Sequence, residues 1–249
     1  MKIENEATGC LSRRDLIIGA GKIAAGAAVV TAGGLTLSSE VMARTAHEYK
    51  YVKLDPERVG QIAYENWYKN FCSYAVASGL IEPLRKEVGG PYNHFPLEIT
   101  RFAHGGVVGW GTMCGTLFGA GVASNLIAGM DGEEITNDVI AYYASTELPL
   151  YKPKNAKLDR TPELSRSNSP LCHVSVGKWM KRSGKQFFTA ERKDRCARLA
   201  ADVAMNTTML LNAWHDGSYE PKHGSQAKTH NMTAQNNCTE CHGSNVPTP

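Results

Sequence analysis

The sequence predicts an all-α protein, in which a bundle-like helical body is followed by a loop-rich C-terminal segment. From Asp55 onward apolar residues recur at helical spacing almost throughout, and no stretch alternates apolar and polar residues as an amphipathic strand would. Helix-start signals stand before two of the periodic stretches. After Trp214 aliphatic residues almost disappear, and this marks the end of the helical body.

The first predicted helix begins at Asp55-Pro56-Glu57, which supply an N-cap, a first-turn proline and a first-turn acid. We expect this helix to extend to about residue 79. The periodicity predicts further helices over residues 97–128, 133–147, 171–183 and 189–214. Thr189 is the expected N-cap of the last helix.

Small residues recur every four positions within the second helical stretch, at Gly111, Gly115, Gly119 and Ala123. Residues four apart lie on one helix face, so this stripe lets another backbone approach closely. Tight packing in the core is therefore its expected role.

Residues 1–43 have the order of an export signal. Arg13 and Arg14 precede a long, weakly apolar run, and Val41-Met42-Ala43 suits a cleavage site. The paired arginines resemble the twin-arginine (Tat) motif, which implies a bacterial protein that is exported folded to the periplasm. Lys22 interrupts the apolar run and makes it a poor membrane span, although an uncleaved anchor is an alternative. After cleavage we expect no stable membrane span.

The net charge does not suggest a nucleic acid as partner. The chain has 27 Lys and Arg against 24 Asp and Glu, and no basic run or aromatic-interleaved basic patch occurs.

The segment 214–249 holds four of the eight histidines and two of the seven cysteines. It has too few aliphatic residues to order itself. Its "CTECH" motif, Cys238 to His242, has the spacing by which two thiols form thioethers with a haem while the adjacent histidine binds the iron. Covalent haem at Cys238, Cys241 and His242 would supply the missing core, so we expect a haem-organised segment.

Three other interpretations of this motif are weaker. A zinc site needs a second ligand pair at short spacing, and a redox-active Cys-x-x-Cys needs a strand-to-helix context. A structural disulfide is the third alternative. The sixth iron ligand must come from elsewhere, and His230, then His223 and His215, are the candidates that favour bis-histidine ligation over Met232.

Four cysteines lie in the body, each on a different predicted helix: Cys72, Cys114, Cys172 and Cys196. Thiols on four helices can converge inside a bundle, and a soft tetrathiolate set suits an iron–sulfur cluster or zinc. Two disulfides or plain buried cysteines are the alternatives. His173, next to Cys172, could also serve as a ligand.

The stretches around these cysteines resemble a family of redox-active bacterial proteins with four spaced cysteines. The matching pieces are "FCSYAV" (71–76), "CGTLFG" (114–119), "CHVSV" (172–176) and "RCA" (195–197), with Thr116 where the family is expected to have alanine. With the haem segment added, residues 51–249 resemble the split-Soret cytochromes c.

This resemblance implies a helical cysteine domain with an iron–sulfur centre, and a haem domain at one end of a homodimer. It also implies stacked bis-histidine haems, each receiving one histidine from the partner chain. The family carries two c-type haems per chain, whereas this chain has one complete motif. In the upstream "YEPKHGS", Tyr219 and Lys222 stand at the cysteine positions. We therefore expect one covalent haem c, with a second haem either lost or held without thioethers.

The predicted organisation is an export signal at 1–43, a four-cysteine domain at 44–213 and a haem segment at 214–249. The predicted function is electron transfer in the periplasm between a low-spin bis-histidine haem and an iron–sulfur centre, with periplasmic redox proteins as partners. A small multi-centre haem reductase and a thiol- or metal-based redox sensor are the alternatives.

Overall fold

The computed structural model describes residues 49–223, and within that range the architecture is α-helical, so the all-α prediction is confirmed. Five α-helices are present there: α1 (Pro56–Glu87), α2 (Gly115–Ala128), α3 (Gly132–Ser145), α4 (Cys172–Ser183) and α5 (Ala190–His215). Short 3₁₀ turns occupy Gly90–His94, Leu97–Thr100 and Gly129–Asp131. The only extended pairing in a sheet among these residues joins β1 (Glu147–Leu148) and β2 (Ser165–Arg166), which are antiparallel.

Helix α1 folds back on itself, which the sequence did not predict. Asn70 and Phe71 have non-helical backbone angles, and they divide α1 into an arm at 56–69 and an arm at 72–87. Arg58 Nη1 lies 2.8 Å from Glu87 Oε1, whereas residues 29 positions apart in a straight helix would be about 43 Å apart. The predicted end near residue 79 is wrong, because the second arm continues to Glu87.

The two arms of α1 pack closely because small and polar side chains face each other. A Cβ at Gly79 would lie 3.1 Å from the carbonyl oxygen of Val59 and 3.2 Å from Ala63 Cβ. Asn66 donates its amide Nδ2–H to Ser78 Oγ at 2.8 Å. Gly79 thus permits the close approach of the arms rather than ending the helix.

The predicted helix over 97–128 is wrong in its first half. Residues 101–114 form an irregular loop, and four of its glycines have positive φ, which an α-helix does not allow: Gly105, Gly106, Gly109 and Gly111. The helix begins only at Gly115. Gly111 therefore does not belong to the helical stripe, whereas Gly115, Gly119 and Ala123 do and are buried.

The core lies between α1 and α5, with α2 packed against both. Thr189 caps α5 as predicted, since its Oγ1 accepts the Arg192 N–H at 3.3 Å. Arg198 and Asp194 form a buried ion pair within α5, with 2.7 Å between Nε and Oδ2. Among residues 49–223, no helix is long and apolar enough to cross a membrane.

Candidate functional site

Three of the four body cysteines lie at helix N-termini. Cys72 is the first residue after the break in α1, Cys114 is the N-cap of α2 and Cys172 is the first residue of α4. Cys196 lies inside α5. The expectation of four cysteines on four helices is therefore correct except for Cys114, which immediately precedes its helix.

Backbone hydrogen bonds between two distant segments place Cys114 beside Cys172. The Cys114 N–H donates to Pro170 O at 2.8 Å, and the Cys172 N–H donates to Thr112 O at 2.8 Å. Met113 and Leu171 form an isolated antiparallel bridge between the same segments. The start of α2 is thus joined to the start of α4.

The approach of Cys72 to Cys114 depends on Gly115. A Cβ at this position would lie 2.8 Å from Cys72 Cβ and 1.9 Å from the carbonyl oxygen of Ala103. That carbonyl accepts the Ser73 N–H at 3.3 Å. Residue 115 therefore has to be glycine for α2, the second arm of α1 and the 101–114 loop to meet.

The four thiols interact electrostatically. Burial, and then the neighbouring Cys114 and Cys196, raise the pKa of Cys72 to about 12. A hydrogen bond from Cys172, helped by the Thr116 hydroxyl at 3.2 Å from Sγ, lowers the pKa of Cys114 to about 6. The same hydrogen bond, together with burial, raises the pKa of Cys172. Of Cys72, Cys114 and Cys172, it is therefore Cys114 that most readily becomes a thiolate.

A buried guanidinium stands beside these thiols. Arg195 is 1% exposed, its Nη1 lies 3.9 Å from Cys196 Sγ, and its Nη2 donates to Ser175 Oγ at 2.8 Å. Arg195 was not identified from the sequence as a site residue, although its position directly before Cys196 could have indicated it. Thr116 was identified only as a difference from the family pattern, whereas in the structure its hydroxyl contacts Cys114.

All four body cysteines are free thiols in the structure. Within residues 49–223, no group of three or more His, Cys, Asp or Glu side chains is arranged so that it could hold a metal ion. The thiols are thus gathered as an interacting set, and a metal would need them to turn toward a common point.

A cavity of about 360 Å³ opens beside Cys172. Its lining includes His173, Trp110 and Phe187, and Cys172 is half-buried while the other three cysteines are buried. His173 is exposed and packs its Cβ toward Gly111. Cys172 is therefore the member of the set that lies nearest to solvent.

Two of the candidate haem histidines lie within the described residues. His215 ends α5, with its ring centroid 5.7 Å from that of Tyr51 and its Nδ1 3.5 Å from Asp216 Oδ1. The backbone carbonyl of His223 accepts the Asn137 Nδ2–H at 3.2 Å. The structure does not describe the export signal (1–43), His230 or the haem motif of Cys238, Cys241 and His242.

In the upstream "YEPKHGS" stretch, the two residues at the cysteine positions, Tyr219 and Lys222, are hydrogen-bonded to α3. Asp138 Oδ2 accepts the Tyr219 hydroxyl at 3.0 Å and the Lys222 backbone N–H at 3.1 Å. Asp138 is buried, at 5% exposure. His223 follows directly and lines a cavity of about 550 Å³ together with Glu133 and Ile140. Asp138 was not predicted from the sequence, because no local pattern links α3 to this segment.

Comparison with known proteins shows the family to which the chain belongs. The model of the redox-active protein family C_GCAxxG_C_C matches residues 70–210. The chain is 32% identical over 248 residues to the split-Soret cytochrome c of Desulfovibrio desulfuricans, covering 93% of this chain and 87% of that protein. A solved structure described as showing a novel iron centre in the split-Soret cytochrome c of this species matches with a TM-score of 0.67 at 30% identity, over 80% of this chain and 85% of that one. The chain therefore belongs to the C_GCAxxG_C_C family of redox-active proteins, as a relative of split-Soret cytochrome c.

Proposed function

We propose that the chain is a c-type cytochrome that transfers electrons between a low-spin, bis-histidine haem and an iron–sulfur centre held by the body cysteines. The observation that carries this proposal is the convergence of four free thiols from distant parts of the chain: Cys72, Cys114, Cys172 and Cys196. The chain is also related to a cytochrome c, and a solved structure of that cytochrome is described as showing a novel iron centre. This relationship supports a redox function.

The donor set fits an iron–sulfur centre in its chemistry. Four thiolates are the usual ligands of such clusters. The helix N-termini at Cys72, Cys114 and Cys172 favour negative charge on these sulfurs, and the Arg195 guanidinium adds a positive charge beside Cys196. Bound iron would supply one-electron chemistry, while the surrounding side chains exclude water and balance its charge.

The haem would be held by thioethers at Cys238 and Cys241 and by His242, which is the part of the proposal that comes from the sequence motif. His230, His223 and His215 are the candidates for the second axial ligand. The contacts of Asp138 support His223 as a ligand. The hydrogen bonds from Tyr219 and Lys222 to Asp138 hold the segment just before His223 in place, as the thioether bonds do for the histidine of a complete motif. A second haem held without thioethers would use such a histidine.

We further propose export to the periplasm by the twin-arginine signal, a homodimer in which the chains exchange haem ligands, and periplasmic redox proteins as electron donors and acceptors. The signal-like residues 1–43 and the relationship to a cytochrome c support the proposed export. The homodimer and its redox partners are proposed from the resemblance to the split-Soret family alone. Such a signal would let the iron–sulfur centre be inserted before export, while haem is attached afterwards.

Iron and haem content per chain, measured by metal analysis beside a haemochrome spectrum, tests the two centres separately. We expect one covalent haem and additional, non-haem iron. Cys196→Ser should lose the non-haem iron and keep the haem, whereas the double variant C238S/C241S should lose covalent haem and keep the non-haem iron. A wild-type protein without non-haem iron would overturn the proposed centre.

Carbon monoxide tests the axial ligation and the reductase alternative. Two protein ligands leave no open position on the haem iron, so the spectrum of the reduced protein should not change on adding carbon monoxide. A shifted spectrum in the native protein would instead support a five-coordinate haem and a reductase. Loss of the low-spin spectrum in only one of the variants H230A, H223A and H215A would identify the distal ligand.

A thiol-based redox function is the second candidate, and the contact between Cys114 and Cys172 favours it. A Cys114 thiolate beside the Cys172 thiol is the arrangement from which a disulfide forms, with the two thiols together losing two protons and two electrons to an oxidant such as a small disulfide. Mass spectrometry of the iron-free protein after treatment with oxidised glutathione would show a Cys114–Cys172 disulfide. If the protein as purified carries non-haem iron and no disulfide, this candidate is wrong.

A further inference from the structure

Arg195 is a buried cation whose hydrogen bonds all go to neutral groups or sulfur. The guanidinium is 1% exposed, donates to Ser175 Oγ at 2.8 Å and has Nη1 3.9 Å from Cys196 Sγ. Its Nε is buried without a hydrogen-bond partner. Since arginine stays charged in proteins, a full positive charge is placed in the core beside a sulfur.

The nearby acidic side chains are used elsewhere. Asp194 forms the ion pair with Arg198 at 2.7 Å and accepts the hydroxyls of Tyr64 and Tyr68. Asp202 accepts the Leu150 N–H at 2.8 Å, and burial raises its pKa to about 7. In the part of the chain that the structure describes, no carboxylate forms an ion pair with Arg195.

The Arg195 guanidinium has no carboxylate in hydrogen-bond contact, since its two hydrogen bonds go to Ser175 Oγ and Cys196 Sγ. Arg198 provides the contrast, because it lies on the same helix, is also buried and has its carboxylate. A buried charge without a partner is strongly unfavourable. Asp202 interacts electrostatically with Arg195 but forms no ion pair with it. The Cys196 sulfur, in direct contact with the guanidinium, is therefore the group placed to supply the nearest negative charge.

The positive ends of three helices point to the same conclusion. The second arm of α1, α2 and α4 all begin at cysteines of the set, so each contributes the partial positive charge of a helix N-terminus. Together with Arg195, which lies beside Cys196, they place positive charge next to the cysteines of the set. Such an environment suits an anionic group that becomes more negative when it accepts an electron.

We infer that the Arg195 guanidinium is the counter-ion of the cysteine-held iron centre, and that its charge favours the reduced state of that centre. This inference rests on the proposed function, because it requires iron at the four cysteines. Arg195 is not proposed as a ligand. Its role is electrostatic, and it follows that the variants Arg195→Met and Arg195→Gln should make the centre harder to reduce.

The midpoint potential of the non-haem centre, measured by a redox titration followed by electron paramagnetic resonance, tests the inference. Loss of the charge should weaken electron binding about tenfold, which lowers the potential of a one-electron couple by about 59 mV. Arg195→Lys keeps the charge and should keep a potential near that of the wild type. Lys193→Met is the matched control, because it removes the same charge from the same helix at an exposed position, where solvent screens it.

The outcomes separate this inference from the proposed function. Neutral variants that carry the centre with an unchanged potential would overturn the inference alone. If they fail to retain iron while Arg195→Lys retains it, the need for the charge is supported. Loss of iron in all three variants would overturn the assignment, since a charge-keeping side chain should suffice. A wild-type protein without non-haem iron would overturn the proposed function and this inference with it.

Discussion

Replacing Gly115 by alanine is expected to destabilise the protein and to disrupt the four-cysteine site. The added Cβ would lie 1.9 Å from Ala103 O and 2.8 Å from both Ala103 C and Cys72 Cβ. Two of these atoms belong to the backbone, so no side-chain rotation relieves the overlap. The 101–114 loop must move away from α2, and the hydrogen bond from the Ser73 N–H to Ala103 O must lengthen.

The size of this effect follows from two contributions. Overpacking of a well-packed core costs about 1–3 kcal/mol, and a lost intramolecular hydrogen bond costs about 1 kcal/mol. The expected loss in the free energy of unfolding for Gly115→Ala is therefore about 2–4 kcal/mol. Because the overlap includes Cys72, the non-haem iron content of the Gly115→Ala protein should also fall.

Urea unfolding followed by circular dichroism, together with non-haem iron analysis, would measure both effects. Gly177→Ala is the matched control, because no atom lies within 4 Å of a Cβ at this position inside α4. Alanine there should stabilise the protein by up to about 1 kcal/mol through helix propensity. If Gly115→Ala is as stable as the wild type and keeps its iron, the close approach at Gly115 is not what brings Cys72 to Cys114.

Three further predictions concern other parts of the chain. Phe71 has φ 63° and ψ −159°, backbone angles that almost only glycine adopts without strain. In urea unfolding, the Phe71→Gly variant should therefore be more stable than Phe71→Ala by about 1–3 kcal/mol. The opposite order would contradict the strained turn. Burial raises the pKa of Asp202 to about 7 from the ordinary 3.8, so the folded protein binds a proton that the unfolded chain releases. This carboxyl should therefore make stability fall as pH rises from about 4 to about 7, and Asp202→Asn should flatten that fall in urea titrations across this range. Tyr219→Phe removes the hydroxyl that donates to Asp138 and should cost about 1 kcal/mol of local stability. Limited proteolysis should then cleave at the start of the C-terminal segment faster, and an unchanged cleavage rate would show that this contact does not hold the segment.

Much of the fold could be predicted because helix signals are local. The caps at Asp55 and Thr189 act on N–H groups two or three residues away, and both were recognised correctly. The helix boundaries were predicted wrongly where a residue type that suits a helix face lies instead in a loop or a turn. Gly111 continued the four-residue spacing of the stripe, yet its positive φ belongs to the loop before α2. The turn at Asn70 and Phe71 contains no glycine or proline, so no helix-breaking residue in the sequence predicted the break in α1.

The sequence by itself determined the helical class, the four body cysteines as a set and the membership of a redox-active family. It also predicts the haem motif at 238–242, which stays a prediction because those residues lie outside the part that the structure describes. Only the tertiary structure decided that Cys72 and Cys114 also lie at helix N-termini, as Cys172 was predicted to do, and that Arg195 is buried next to Cys196 without a carboxylate. The reason is physical: caps and periodicity depend on residues a few positions apart. The convergence of thiols and the burial of a charge depend on packing between segments up to 124 residues apart, from Cys72 to Cys196.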